Sequence, residues 1–413
     1  MNHIKMSINL RLLLSLLFVC VSCQNKMGKE LDASEGKEAQ VALDKELQAV
    51  AQKGVLPGFA VSVFTKDTVL FQSGYGFADL DAKRPFTPDN TQIIASITKT
   101  LVGVALMQLV ERNKISLDTP INDILPYRVS NPYFPYDVIT LRHLASHTST
   151  ITGTKNSDKG YRFAAPLRLE NFSGQYKEAY RPLLEVYNKT EDLSMKEFLS
   201  RKLRKDGIWY ETELFKNERP GVSYHYSNLG VALLAHCLEI KTGIPFDTFS
   251  EENILRPLGM DNSSWLYNEG NPNQHVTYYF EYGMELPNYH IITYPDGGLF
   301  SSVADMTNFL QEIIKCHKGE GKLLRKETTH LMISKQFEGE ELTEGICWDL
   351  SFEGLVGHPG NDFGTSTLMY FNPSTGIGRI LFTNVSTENE SQEDAFYSIF
   401  NALFAYDLTQ SKE

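Results

Sequence analysis

Ser96 and Lys99, in the run Ser96-Ile97-Thr98-Lys99, put a hydroxyl and an amine one helical turn apart on one face. A serine hydroxyl is a weak nucleophile until a neighbouring base takes its proton. A lysine does this only where burial or nearby cations favour its neutral form. The residues that follow supply burial: Leu101, Val102, Val104, Leu106, Met107 and Val110 point in nearly every helical direction, predicting a helix over 96–110 at the centre of a domain. At its start the backbone N–H of Ser96 has no intrahelical partner and would face a substrate oxyanion. The spacing alone is a weak signal, since Ser34-Glu35-Gly36-Lys37 repeats it in a polar stretch where solvated side chains are the ordinary reading.

Two further groups carry chemistry. Tyr226-Ser227-Asn228 follows Arg219-Pro220-Gly221 and opens a second predicted helix, Leu229 to Lys241, closed by Gly243. A phenol held on that turn can relay a proton to a leaving group, and Asn228 either caps the helix or orients a lysine and a substrate amide. His358-Pro359-Gly360 precedes a strand predicted from Thr365, and its glycine would let a substrate backbone approach a strand edge. The competing matches have other surroundings. Tyr370-Phe371-Asn372 lies in a strand and its turn, and His317-Lys318-Gly319 reads as a helix C-cap.

These residues need a frame. Gly58 to Val63 and Val69 to Tyr75 are β-rich on either side of Lys66-Asp67, which reads as a hairpin. Cys347 to Phe352, Thr365 to Phe371 and Gly378 to Asn384 are strand-like, and Val41 to Val50 and Glu393 to Phe404 have helical spacing. Strands at both ends with helices between predict an α+β domain: one antiparallel β-sheet flanked by helices, with a mostly helical second region. Segment 155–219, polar and rich in Lys, Arg and Tyr, reads as an insertion or lid.

The 413 residues, 42% hydrophobic and 22% charged, are ordinary for a globular chain and exclude disorder or a coiled coil. A net charge of -12 without a basic stripe excludes nucleic acid as partner. Lys5 and Arg11 precede the apolar run Leu12 to Val19, too short to span a bilayer. Cys20-Val21-Ser22-Cys23 then resembles a bacterial lipoprotein signal, although Cys20 stands where leucine is usual. On this reading residues 1–22 are a signal peptide, acylated Cys23 anchors the chain to a membrane, 23–38 is a tether and 39–408 the domain; plain secretion or a retained anchor is the other reading. Cys237, Cys316 and Cys347 allow at most one disulfide. His143 and His147, four apart but without carboxylate or cysteine company, read as structural histidines, so no metal and no cofactor is expected. Trp265, Tyr278, Tyr279 and Tyr282 read as packing in preference to a subsite.

Taken in order, Ser96 to Lys99, Tyr226 to Asn228 and His358 to Gly360, separated by 130 and 132 residues, resemble the class C β-lactamases and related serine hydrolases. Leu144-Ala145-Ser146-His147-Thr148-Ser149, Arg256-Pro257-Leu258-Gly259-Met260 and Asp296-Gly297-Gly298-Leu299 are similar to further segments of that family, and the likeness runs from Val41 to Tyr406. The resemblance implies a β-lactamase/transpeptidase-like fold and an acyl-enzyme route: Ser96 attacks with Lys99 as base, Tyr226 manages protons, and the N–H groups of Ser96 and Asn361 form the oxyanion hole. Two departures stand out, the first bearing on substrate and the second on the loop into the insertion. His358 stands where many relatives carry a lysine that holds a substrate carboxylate, and Thr150 where glycine is frequent. The expected substrates are small D-residue peptides or cell-wall fragments; a broad carboxylesterase, a β-lactamase and a slowly turning-over sensor domain are the alternatives.

Overall fold

The computed structural model describes residues 33–153, 160–172, 174–182, 184–267, 270–339 and 342–409; the leader and Cys23 lie outside these. Strand β1 (Gly58–Phe64) is buried along its whole length, as a strand covered on both faces must be. It pairs antiparallel with β2 (Val69–Asp79) through the expected hairpin, closed by Thr65 N–H donating to the Thr68 carbonyl (2.8 Å), and β3 (Arg84–Pro85) follows on the outer side of β2. The other half of the sheet comes from the far end of the chain: β4 (Val356–Asp362), β5 (Thr365–Asn372) and β6 (Ile377–Thr383). β6 lies against β1, with Val61 opposite Leu381, so the order is β4-β5-β6-β1-β2-β3. This is the α+β architecture predicted, with one antiparallel sheet built from both chain ends.

One face of the sheet is covered by α1 (Ala33–Gln52) and by a C-terminal helix, Glu390–Ala405, whose Phe396, Ile399 and Phe400 pack with Leu43 and Leu47. The other face supports the larger core. There α2 (Lys99–Glu111) is buried from Lys99 through Leu109, the burial its all-round apolar pattern demands. A 3-10 turn, Ala95–Thr98, leads into it, so Ser96 precedes the α-helix proper. Around α2 stand α3 (Leu141–Ala145), α4 (Met195–Leu203), α5 (Asn228–Thr242) and α6 (Val303–Lys318). The C-terminal helix Glu390–Ala405 is α7. Left-handed Gly243 (φ 72°) and Gly319 (φ 84°) end α5 and α6 as expected.

Two expectations need correction. α1 begins at Ala33, inside the stretch read as a tether, because its Glu, Lys, Gln and Ala residues are good helix formers whatever their polarity. Residues 347–352 form no strand: Cys347 has φ 60°, and only isolated bridges touch Asp349. The strand is instead β4, which contains His358-Pro359-Gly360. Segment 155–219 shares the main core through Leu167, Phe172, Tyr187, Phe198 and Leu199, and its strand Tyr161–Phe163 pairs with Tyr289–Ile291. Its apolar residues lie in short groups separated by polar stretches, and these groups meet in three dimensions. Finally, Cys237, Cys316 and Cys347 are buried free thiols.

Candidate active site

The turn that carries Ser96 is held from several sides. Tyr278 accepts a hydrogen bond from Ile93 N–H (2.8 Å), Leu299 accepts one from Ile94 N–H (2.9 Å), and Ala95 takes a left-handed φ of 47°. The hydroxyls of Thr365 and Thr367 on β5 donate to the carbonyls of Ile93 and Ile94, both at 3.0 Å. Ser96 is left partly exposed, while Lys99 is fully buried. Lys99 Nζ lies 2.8 Å from Ser96 Oγ and also donates to the backbone carbonyl of Asp296. It faces the Tyr226 ring at 5.0 Å and has no ion pair among the described residues. The Tyr226 hydroxyl reaches Ser96 Oγ at 2.7 Å. Burial pushes this phenol above its ordinary pKa, and Lys99 opposes the push. One hydroxyl is thus suspended between an amine and a phenol, an arrangement that can move a proton off the serine and on to a departing atom.

Tyr226 is aimed by His147. The His147 carbonyl accepts the N–H of His225 (2.8 Å) and its Nδ1 accepts the N–H of Ser227 (3.1 Å), so the residues flanking Tyr226 are both tied to one histidine. The two rings lie 4.4 Å apart. Burial and the charge of Lys99 hold His147 well below its usual pKa, and with Nδ1 accepting, the neutral ring carries its proton on Nε2. His143 has a comparable role at α3, where Nδ1 accepts Thr140 N–H and the ring stacks on Phe337. Asn228 is not the cap of α5. Ser227 caps α5, its Oγ accepting Gly230 N–H at 2.8 Å, which leaves Asn228 exposed on the first turn and without a bond to Lys99.

β4 forms the opposite wall. At Gly357 the backbone exchanges both its hydrogen bonds with Asp349 (2.8 and 3.1 Å), away from β5. Alternation along an antiparallel pair then turns the backbone of Pro359 and Asn361 outward as well. Proline is tolerated there because that position donates nothing to the ladder. Gly360 lies directly on the Ser96 turn: a Cβ on it would sit 2.7 Å from the Ile94 carbonyl oxygen and 3.1 Å from Ser96 N. His358 is buried, its ring 6.2 Å from that of Tyr226, and its Nδ1 contacts the Pro359 carbonyl at 2.5 Å. Burial, aided by Lys99, pushes its pKa down to about 4, so the ring is neutral at pH 7.

Ser96, Lys99, Tyr226, His358 and Gly360 therefore lie together, with Asn361 next to Gly360 on β4. His147 and Asp296 stand in segments similar to those of the family, but the contacts of the His147 backbone and ring and of the Asp296 carbonyl have no local signal; strand alternation over 356–362 places Asp362 on the face of His358 and Gly360. The aromatic quartet mostly packs: Trp265, Tyr278 and Tyr279 are buried with bonded polar atoms, and Tyr282 is exposed. Among the described residues no group of three His, Cys, Asp or Glu side chains is arranged to hold a metal.

Known proteins agree with this frame. The chain is 20% identical over 355 residues to Protein flp of Staphylococcus aureus, covering 85% of this chain and 64% of that protein. It is 28% identical over 284 residues to Beta-lactamase-like protein 2 of Dictyostelium discoideum, covering 64% and 44%. It thus spans less than two thirds of either relative. In fold it matches the octameric penicillin-binding protein homologue from Pyrococcus abyssi (TM-score 0.68, 21% identity, 89% of this chain and 78% of that one) and SurE solved with D-Leu (0.62, 19%, 89% and 75%). The β-lactamase family model matches residues 43–404, and the chain belongs to that family.

Proposed function

We propose that this protein is a serine hydrolase that cleaves amide or ester bonds through an acyl-Ser96 intermediate, acting on small D-residue peptides or cell-wall fragments. The observation that carries the reading is Ser96 Oγ within hydrogen-bond reach of both Lys99 Nζ (2.8 Å) and Tyr226 OH (2.7 Å). Lys99, in its unprotonated form, takes the serine proton as Oγ attacks the carbonyl; Tyr226 gives its proton to the leaving group and regains one from Lys99. The N–H groups of Ser96 and Asn361 stabilise the oxyanion, each such donor being worth about 3–4 kcal/mol. Water then releases the acyl group by the reverse proton path. The D-residue preference is supported by the fold neighbour solved with D-Leu. The neutral His358 gives no fixed charge for a carboxylate, which disfavours an efficient β-lactamase and favours a carboxylesterase as second reading.

Intact-mass measurement after incubation with a fluorophosphonate should give an adduct in the wild type and none in Ser96→Ala; equal labelling of both would sink the nucleophile assignment. Tyr226→Phe should lower kcat on an anilide by roughly 100-fold or more while a p-nitrophenyl ester, whose leaving group needs no proton, loses far less. Equal losses would remove Tyr226 from the leaving-group step. We also propose lipid anchoring at the cell envelope through Cys23, supported by the lipoprotein-like leader and checked by metabolic labelling with palmitate and its loss in Cys23→Ala.

A further inference from the structure

Side chains alternate along a strand, so His358, Gly360 and Asp362 share one face of β4. Their surroundings agree. His358 lies by Tyr226, Gly360 lies on the Ser96 turn, and the β5 residues opposite Gly360 and Asp362, Thr367 and Thr365, bond to that same turn. Gly360, which touches the Ser96 turn, is therefore flanked by neutral His358 on one side and Asp362 on the other, each about 7 Å along the strand. Tyr226, the group next to a departing atom, is on the His358 side. The acyl part of a substrate is left with the Asp362 side.

Asp362 is partly exposed, and its carboxyl accepts Phe363 N–H (2.8 Å) and the Tyr161 hydroxyl (3.1 Å). Both partners are neutral, and no salt bridge to Asp362 forms among the described residues. The Phe363 ring is flanked by those of Tyr161, Phe163 and Tyr187 at 5.3–5.4 Å, with Tyr289 at 6.1 Å. A carboxyl without an ion pair, beside an aromatic cluster, suits an ammonium group, which gains a charge-assisted bond next to π-rich surface. The reach also fits. An α-amino nitrogen lies two bonds, about 2.5 Å, from the carbonyl carbon, and an N···O contact adds about 2.8 Å. Its partner must then lie within a residue or two of the oxyanion donor, and Asp362 follows Asn361 directly.

We propose that Asp362, within the Tyr161–Phe363 aromatic wall, binds the free α-ammonium group of the acyl residue, making the enzyme an aminopeptidase-type hydrolase selective for unblocked aminoacyl amides. This rests on the acyl-Ser96 reading. Burial, with the Asp296 carboxyl adding to it, pushes the Asp362 carboxyl up to about 7 against the pull of Phe363 N–H, Tyr161 and Lys99, and an arriving ammonium opposes that push. A blocked amine would leave the carboxyl without its partner.

The test compares the p-nitroanilides of D- and L-alanine with their N-acetyl forms, using wild type, Asp362→Asn and Tyr161→Phe. Wild type should favour the free amines by about 10-fold or more in kcat/KM, and Asp362→Asn should lose about 10- to 100-fold on them through KM. That variant should change less than about 3-fold on acetylated substrates, and Tyr161→Phe, which keeps the carboxyl, should retain the preference. A wild-type preference for acetylated substrates, or equal losses on both classes in Asp362→Asn, overturns the assignment. Cleavage of none of these amides by an enzyme whose Ser96 is labelled by fluorophosphonate overturns the amine subsite alone; absence of labelling overturns the hydrolase reading and the subsite with it.

Discussion

At the scale of single residues, His358 shows how one substitution within a family pattern changes a site's charge. Its position beside buried Lys99 penalises a second positive charge, and the ring's pKa falls to about 4. An unfolded histidine titrates near ~6.5, so between these values the unfolded chain binds the proton first. This contribution leaves stability intact above ~pH 6.5 and erodes it as pH drops toward 4. His358→Asn lacks the titrating ring. Urea unfolding of both proteins at a series of pH values should show a constant difference above ~pH 7 and a drift against wild type of about 1–3 kcal/mol between pH 6.5 and 4. A parallel pair of curves across that range would mean that His358 is not held neutral by the fold.

At the scale of elements, the site depends on two junctions. The first is β4 against the Ser96 turn, where Gly360 has no room for a methyl group. Gly360→Ala places Cβ 2.3 Å from Thr367 Oγ1 and 2.7 Å from the Ile94 carbonyl oxygen, so the edge strand must retreat from Ser96. On the proposed acyl-enzyme route the expected result is a kcat loss of about 100- to 1,000-fold, the cost of displacing the Asn361 N–H from the oxyanion, with about 1–3 kcal/mol of stability lost; full activity in a folded variant would contradict this packing. The second junction is the tie from His147 to the residues around Tyr226. His147 sits at φ 56°, a conformation asparagine tolerates better than most residues, and an asparagine oxygen could accept the Ser227 N–H. His147→Asn should therefore keep more ester kcat than His147→Ala, with KM little changed in either. The reverse ranking would assign the histidine a role other than aiming the tyrosine.

At the scale of the whole molecule, the chain ends close the fold together. α1 buries Leu43, Leu47 and Val50 against the sheet and α7, and each such side chain is worth about 1.5–3 kcal/mol. Their sum approaches the ~5–15 kcal/mol that keeps a typical domain folded. A chain starting at Ala33 should match the full protein in thermal midpoint and ester hydrolysis, whereas one starting at Gly54 should fail to fold cooperatively, as followed by circular dichroism. Much of this plan was legible in the sequence because its causes are local. Three-residue spacing puts Ser96 beside Lys99, an all-round apolar run makes α2 central, and Lys66-Asp67 between two β-rich runs makes a hairpin. The order of strands and helices similarly gave the α+β class and one sheet shared by both ends. Local signals misled where a neighbour in space overrode them. Pro359 and two glycines disguised an edge strand, Ser227 took the cap expected of Asn228, and Thr150 holds a φ of 69° at a position where glycine is frequent among relatives, with Asn131 bonded to its hydroxyl. The sequence by itself determined that Ser96 and Lys99 lie side by side and which elements carry them, since each follows from residues a turn or a strand apart. Only the tertiary structure decided that Tyr226 meets Ser96 across 130 residues, that His147 aims it and that Asp362 flanks the site, because those contacts arise from strand register and helix packing between distant parts of the chain.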